Sequence, residues 1–304
     1  MTTSAVATTH LTVSCIGAGR LGTTICRLLL EQQSDIKISI GQVLNNSLES
    51  SLKAVDFIGN GSPARDLDRL KPADLWLIST PDDAIQAASE ALAESGVLAP
   101  GNSVFHCSGS LSSKIIRLPD SQCYRASVHP IHSFSNPQKS ISTFAGSSCA
   151  VEGDEQAIKI LNALFTAIGG QCFPLPSAKK ALYHAATVMA CNNLVALLHI
   201  SKQMLAEADI DKTQQDQILN PLIRQTVDNY LNNTDAAACL TGPISRGDDS
   251  TVAAHLDALS SQRQWRNAYS VLGEAAVGIA QQQGYASDDE LKKITELLAR
   301  ASDD

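Results

Sequence analysis

Short apolar runs alternate with helical patterns over the first half of the chain, and only helical patterns follow in the second. Leu11 to Ile16 is a β-rich apolar run ending at Gly17, the mark of a buried strand. After it, Leu21, Ile25, Leu28 and Leu29 recur at i, i+4, i+7 and i+8, which is one face of a helix. Ile36 to Leu44 predicts a second strand, followed by a helix to Phe57. Asp74 to Thr80 predicts a third strand, and Pro81-Asp82-Asp83 opens a helix through Glu94 with acids on its positive first turn. Further strands are predicted at Ser103 to Cys107, Cys123 to Val128 and Ser147 to Val151, the last leading into a helix over 154–168 closed by Gly169-Gly170. Strands alternating with helices imply βαβ crossovers and a mainly parallel sheet.

From Ser177 onward no strand pattern is present, Pro221 is expected to interrupt a helix, and Leu240 to Ser250 reads as a loop. The predicted organisation is therefore a tail over 1–10, an α/β domain over 11–175 and an all-helical domain over 176–304. Ala181 to Ser201 contains no Asp, Glu, Lys or Arg and is long enough to span a bilayer. His184, Asn192, Asn193 and His199 lie inside it, and such groups are costly in lipid, so the expectation is a helix buried in protein and no membrane contact.

Composition narrows the function. Lys plus Arg is 23 against 31 Asp plus Glu, and an acidic chain without a basic run has no electrostatic footprint for nucleic acid. Eight cysteines stand singly, with no Cys-x-x-Cys pair, and read as reduced core thiols of a cytoplasmic protein. Met1 to His10 lacks the basic region and apolar stretch of a signal peptide. No His, Asp or Glu spacing suggests a metal site.

Gly17-Ala18-Gly19-Arg20-Leu21-Gly22 follows a predicted strand and opens a predicted helix, which is the context of a dinucleotide-binding fingerprint. Gly17 permits the tight turn, Gly19 lets backbone approach a pyrophosphate, and Gly22 allows helix and strand to pack closely. At the end of the second strand, where an NAD site offers a carboxylate to the ribose, this chain has Asn45, Asn46 and Ser47. The missing carboxylate, with Arg20 nearby, favours NADP over NAD as cofactor. Thr80-Pro81 and Ser108-Gly109 end successive strands at the carboxyl edge, where they either line a nicotinamide ribose or serve as turn residues. His129, held by Pro130, is a candidate substrate contact, and His184 with Asn192 is either a structural pair or a general acid with its orienter.

These motifs add up to a family. The glycine fingerprint, Ile-Ser-Thr-Pro-Asp-Asp-Ala-Ile (78–85), His-Cys-Ser-Gly (106–109) and His129-Pro130 occur in order. They are followed by Ala-Leu-Tyr-His-Ala-Ala (181–186), Asn192, Leu-Thr-Gly-Pro-Ile-Ser-Arg-Gly-Asp (240–248) and Thr-Val-Ala-Ala-His-Leu (251–256). Together they resemble the bacterial family that pairs a Rossmann-like domain with domain of unknown function 2520. The resemblance implies NAD(P)-dependent oxidoreductases related to 6-phosphogluconate dehydrogenase, 3-hydroxyisobutyrate dehydrogenase and pyrroline-5-carboxylate reductase. The resemblance implies a helical domain like the C-terminal domain of 6-phosphogluconate dehydrogenase, a homodimer and a cleft between domains. Two departures stand out: the Ser-Arg-Ser common in the family is replaced by Asn45-Asn46-Ser47, and counting back four from Asn192 gives Val188 where the hydroxyacid dehydrogenases have a catalytic lysine. Lys180 lies two further turns back.

The expected function is hydride transfer between NADP, or alternatively NAD, and a small polar metabolite bearing a carbonyl or imine. In that reading His184 donates the proton, Asn192 orients it, and His129, Thr241 and Arg246 contact the substrate, Arg246 through an anionic group. The competing expectation is a dinucleotide sensor without turnover, favoured by the absent lysine.

Overall fold

The computed structural model describes residues 9–119, 122–233 and 235–303. Eight strands form one sheet in the order β3-β2-β1-β4-β5-β6-β7-β8. They are β1 (Thr9–Ile16), β2 (Ile36–Leu44), β3 (Ser62–Ala64), β4 (Leu75–Ile78), β5 (Ser103–His106), β6 (Tyr124–Pro130), β7 (Ser148–Gly153) and β8 (Gln171–Pro174). Every pairing is parallel except β6 with β7. Helices α1 (Arg20–Glu31), α2 (Leu48–Ile58), α3 (Ile85–Glu94), α4 (Pro137–Thr143) and α5 (Glu155–Ala167) connect the strands. The strand order reverses between β1 and β4, so the carboxyl ends of these two strands flank the switch point where open α/β sheets bind ligands.

Strand β1 begins at Thr9, two residues before the predicted start, and the first eight residues of the expected tail lie outside the described part. The sequence pattern missed β3, β8 and α4. Strands β3 and β8 are edge strands of three and four residues, too short to show a period, and α4 is a two-turn helix started by the Asn136 cap and Pro137. Two apolar cores cover the sheet. One gathers Val13, Ile25, Leu29, Phe105 and Phe165, and the other Trp76, Ile78, Ile85, Leu92 and Ile116.

The chain divides into two compact units, the first ending at Met189 and the second beginning at Ala190. Strand patterns stop at Pro174, yet the first unit continues through α6 (Lys180–Val188) because Lys180 and Tyr183 bond to groups of the sheet. A π-helical turn over Met189–Asn193 leads into α7 (Leu194–Glu207). The second unit is helical, with α8 (Lys212–Leu231), α9 (Asp249–Ala258), α10 (Arg263–Gln283) and α11 (Asp288–Asp303). Its core joins Ile244, Val252, Leu256, Val277, Ile294 and Leu298.

Three expectations are corrected. Pro221 does not interrupt its helix, since α8 runs through it. Its ring removes one backbone donor, and tertiary context holds the remaining turns. The uncharged helical run is not buried within this chain. Ser177–Glu207 is long and apolar enough to cross a membrane by length and composition, and none of its most apolar stretch is buried. Leu182 in the first unit and Val195 in the second remain 70% and 66% exposed, although a helix apolar on every side calls for burial. Finally, only Cys15, Cys26, Cys107 and Cys149 are core thiols. Cys123, Cys172 and Cys239 are half-buried and Cys191 is exposed.

Candidate functional site

The loop between β1 and α1 sets the site. Gly17 adopts φ +80°, and its N–H donates to the Leu44 carbonyl at 2.8 Å. A Cβ here would also sit 2.6 Å from Thr80 Cγ2, so only glycine fits on both counts. Gly22 packs against Ser79 and Cys15, where a Cβ would collide with the Ser79 hydroxyl. Gly19 differs from both: a Cβ would meet nothing closer than the Gly17 carbonyl at 4.0 Å, and the residue lines a groove. This is the cradle that close approach of a pyrophosphate requires, at the N-terminus of α1.

That groove has a volume of about 870 Å³, within the usual range of roughly 300–1,000 Å³ for small-molecule sites. Of the residues expected at a cofactor, Gly17, Gly19, Arg20, Leu21, Asn45, Asn46, Thr80, Pro81 and Ser108 line it, and Gly22 does not. Thr80 Oγ1 is buried with no hydrogen-bond partner, which leaves a polar group available to a ligand. Asn45 spends its amide on the Ala18 and Ser50 carbonyls, at 3.4 and 3.0 Å, and so shapes the turn. Ser47 is absent from the lining. Its hydroxyl caps α2, accepting from the Ser50 N–H at 3.2 Å, which is where a serine before a helix is used most readily. Lys53 and Phe57, one and two turns into α2, also line the groove and escaped sequence analysis because nothing distinguishes them from an ordinary helix face. Lys53 also pairs with Glu49 at 2.6 Å on the exposed surface.

Past Ser108 the strand ends carry a cluster of titratable groups. Asp82 accepts from the hydroxyls of Ser108 and Ser110 at 2.7 and 3.0 Å. His106 is fully buried, its Nδ1 accepting from the Ser108 N–H and its Nε2 facing the Ser112 carbonyl. Burial, followed by the positive charge of Lys180, lowers its pKa to about 4. His129 Nδ1 shares a hydrogen bond with the Tyr183 hydroxyl at 2.9 Å, and its ring meets that of His184 edge-on at 5.3 Å. Its pKa is likewise lowered to about 4, by burial first and then by His184 and Lys180. The same burial pushes the Tyr183 hydroxyl up to about 12. The structure thus brings His129 and His184 together and adds Tyr183 as a third member. The readable sign was Lys180, Tyr183, His184 and Thr187 at i, i+3, i+4 and i+7, a polar stripe on an otherwise apolar helix.

His132 is pinned between Ser147 and Thr143 and braces its own loop. The other proposed residues belong to the second unit. Asn192 lies exposed in the π turn. Thr241 and Arg246 are exposed on the segment before α9, where Asp248 caps the helix by accepting from Thr251 and Ser250. Those hydrogen bonds hold the Asp248 carboxyl down at about 2. Among the described residues no group of three His, Cys, Asp or Glu side chains could hold a metal ion.

Comparison with known proteins bears on the fold and the family. A Rossmann-like domain matches residues 1–130, and domain of unknown function 2520 matches residues 147–276. No curated protein matches. Protein TM1727 from Thermotoga maritima is 25% identical in sequence, with a TM-score of 0.61 over 96% of this chain and 98% of that one. A Bacteroides fragilis protein described as an NADP oxidoreductase shares the fold at 20% identity and a TM-score of 0.71, over 88% of this chain and 98% of that one. The pyrroline carboxylate reductase of Plasmodium falciparum, solved with NADP bound, is 10% identical with a TM-score of 0.55, over 94% and 98%.

Proposed function

From the premise that the chain belongs to the family joining a Rossmann-like domain to domain of unknown function 2520, we propose an NAD(P)-dependent oxidoreductase acting on a small polar metabolite. The observation that carries this reading is the open cradle at Gly19, set in a groove at the switch point of the sheet. Backbone N–H groups at the start of α1 would hold the pyrophosphate, and Thr80, Pro81 and Ser108 would line the nicotinamide ribose. When bound, the cofactor supplies or accepts the hydride. NADP is the preferred form, since Asn46 puts no carboxylate at the adenosine end and Arg20 and Lys53 add positive charge along the groove.

The proton belongs to the His129, Tyr183 and His184 group. His184 is the proposed donor, and His129, kept neutral near pH 7, a contact for the substrate carbonyl or imine. Arg246 is a proposed contact for an anionic group. Fluorescence titration with NADPH and NADH, followed by a panel of carbonyls and imines, tests the reading. Binding of NADPH in preference to NADH with net oxidation by a panel member is expected. Binding without turnover by any member would favour the dinucleotide sensor, and no binding of either coenzyme would remove the proposal.

A homodimer and a cytoplasmic location complete the proposal. Within the second unit, α7 and α8 leave Val195, Leu222, Tyr230 and Leu231 between 56% and 73% exposed, a patch that a second copy would cover. Light scattering at micromolar concentration should give twice the monomer mass, and a monomer with its helical unit folded would refute the dimer. Eight free thiols suit a reducing compartment.

A further inference from the structure

Lys180 is the one fully buried cation of the first unit's core among the described residues, with 1% of its surface exposed. Its ammonium donates to the Ser108 carbonyl at 3.0 Å and to the Ser127 hydroxyl at 2.5 Å, and stands 3.7 Å from Glu152 Oε1. Glu152 is itself saturated. Its oxygens accept from the Ser113 N–H at 2.6 Å, the Ser113 hydroxyl at 2.9 Å and the Ser177 hydroxyl at 2.6 Å. A buried charge pair of this kind is seldom the cheapest way to stabilise a core, so its retention calls for a role in specifying geometry.

The geometry it specifies is that of Ser108. Every polar group of that residue is engaged: its N–H on His106, its hydroxyl on Asp82 and on the Ser110 and Leu111 N–H groups, and its carbonyl on Lys180 and Ser127. The next residue, Gly109, lies directly beneath the two histidines. A Cβ there would stand 2.8 Å from His184 Cε1 and 2.9 Å from His129 Cε1, so the rings rest on bare backbone. Lys180 also shares the inward face of α6 with Tyr183 and His184, three and four residues on.

We propose that Lys180 is the positioning residue of this site: its buried ammonium fixes the Ser108 carbonyl, and with it the Ser108–Gly109 turn that seats the His129 and His184 rings at the end of the groove. Lys180 does not line the groove, and acts through Ser108, which does. Its charge faces His129 together with His184 and Asp82, and the Tyr183 hydroxyl completes the titratable groups around that ring. The proposal deepens the oxidoreductase reading and rests on it for the cofactor measurement alone.

The test is the double variant Lys180→Met/Glu152→Gln, which removes both charges and leaves neither unpaired. The gentler Ser127→Ala removes one hydrogen bond and covers the case in which the double variant does not fold. Two quantities are read. The first is the His129 titration midpoint, followed by the imidazole Cε1–Hε1 resonance in the protein without cofactor. It should rise from the wild-type value by about half a unit or more in the double variant, and by less in Ser127→Ala. The second is the affinity for NADPH set against that for 2′-phospho-ADP-ribose, which lacks the nicotinamide. NADPH should bind about tenfold more weakly, with the fragment unchanged, because only the nicotinamide end reaches Ser108. The charge of Lys180 alone moves the midpoint in the double variant, so Ser127→Ala, which removes no charge, is the deciding variant: an unmoved midpoint there would overturn the proposal, as would equal losses for NADPH and fragment. If the wild-type protein binds neither ligand, the oxidoreductase reading fails while the Ser127→Ala midpoint still decides the positioning role.

Discussion

Replacing Gly19 with valine is expected to weaken NADPH binding by about 100-fold or more while leaving the unfolding temperature within about 2 °C of wild type. The absence of any contact within 4 Å other than the Gly17 carbonyl means that the folded protein admits a side chain at this position. The same side chain occupies the space through which a pyrophosphate must reach the N–H groups of α1. Gly22→Val is the control with the opposite expectation. Its side chain would collide with Ser79 and crowd Cys15, so it should cost about 1–3 kcal/mol of stability through overpacking. Fluorescence titration and thermal melts of both variants separate the two roles. Unchanged NADPH affinity in Gly19→Val would mean that the groove is not the dinucleotide site.

Acid should destabilise this protein well before its exposed carboxylates titrate, and His106 should carry much of the effect. Its folded pKa is near 4, whereas an imidazole in the unfolded chain titrates near 6.5. The unfolded state therefore binds the proton first as pH falls, so the stability His106 contributes is complete above pH 6.5 and is lost progressively down to about pH 4. For a fully buried ring the loss amounts to about 3 kcal/mol. His129 adds a smaller loss over the same window, because its ring is half-buried. Urea unfolding at pH 7.5, 6 and 4.5 checks the slope, and His106→Asn should flatten it while lowering stability at pH 7.5. A variant whose stability falls with acid in parallel with wild type would show that His106 is not the group protonated.

Both predictions start from residues whose roles differ in legibility. Gly17, Gly19 and Gly22 were readable because their spacing after a strand and before a helix is a local pattern, although Thr80 and Ser79, which crowd Gly17 and Gly22, are brought there by the sheet. Strand β2 was predicted at its observed limits, since Ile36, Ile38 and Ile40 alternate with polar or small residues before Val43 and Leu44, and a period of two admits few other readings. Pro221 misled because a proline weakens a helix by an amount that surrounding packing can offset. The apolar run over 181–201 misled because apolar composition states that a surface wants cover without stating what covers it.

By itself, then, the sequence determined the alternation of strands and helices, the mainly parallel sheet, the glycine loop and the groove residues on either side of it. These depend on periodicity and on backbone constraints that act within a few residues. Only the tertiary structure decided that Ser47 is a helix cap, that Tyr183 joins His129 and His184, and that Lys180 and Glu152 lie buried together beneath Ser108. Glu152 and Lys180 stand 28 residues apart, on β7 and α6, and neither is exceptional in its own neighbourhood. Their meaning comes from desolvation and from partners that the sheet brings within hydrogen-bonding distance, and no local pattern encodes those.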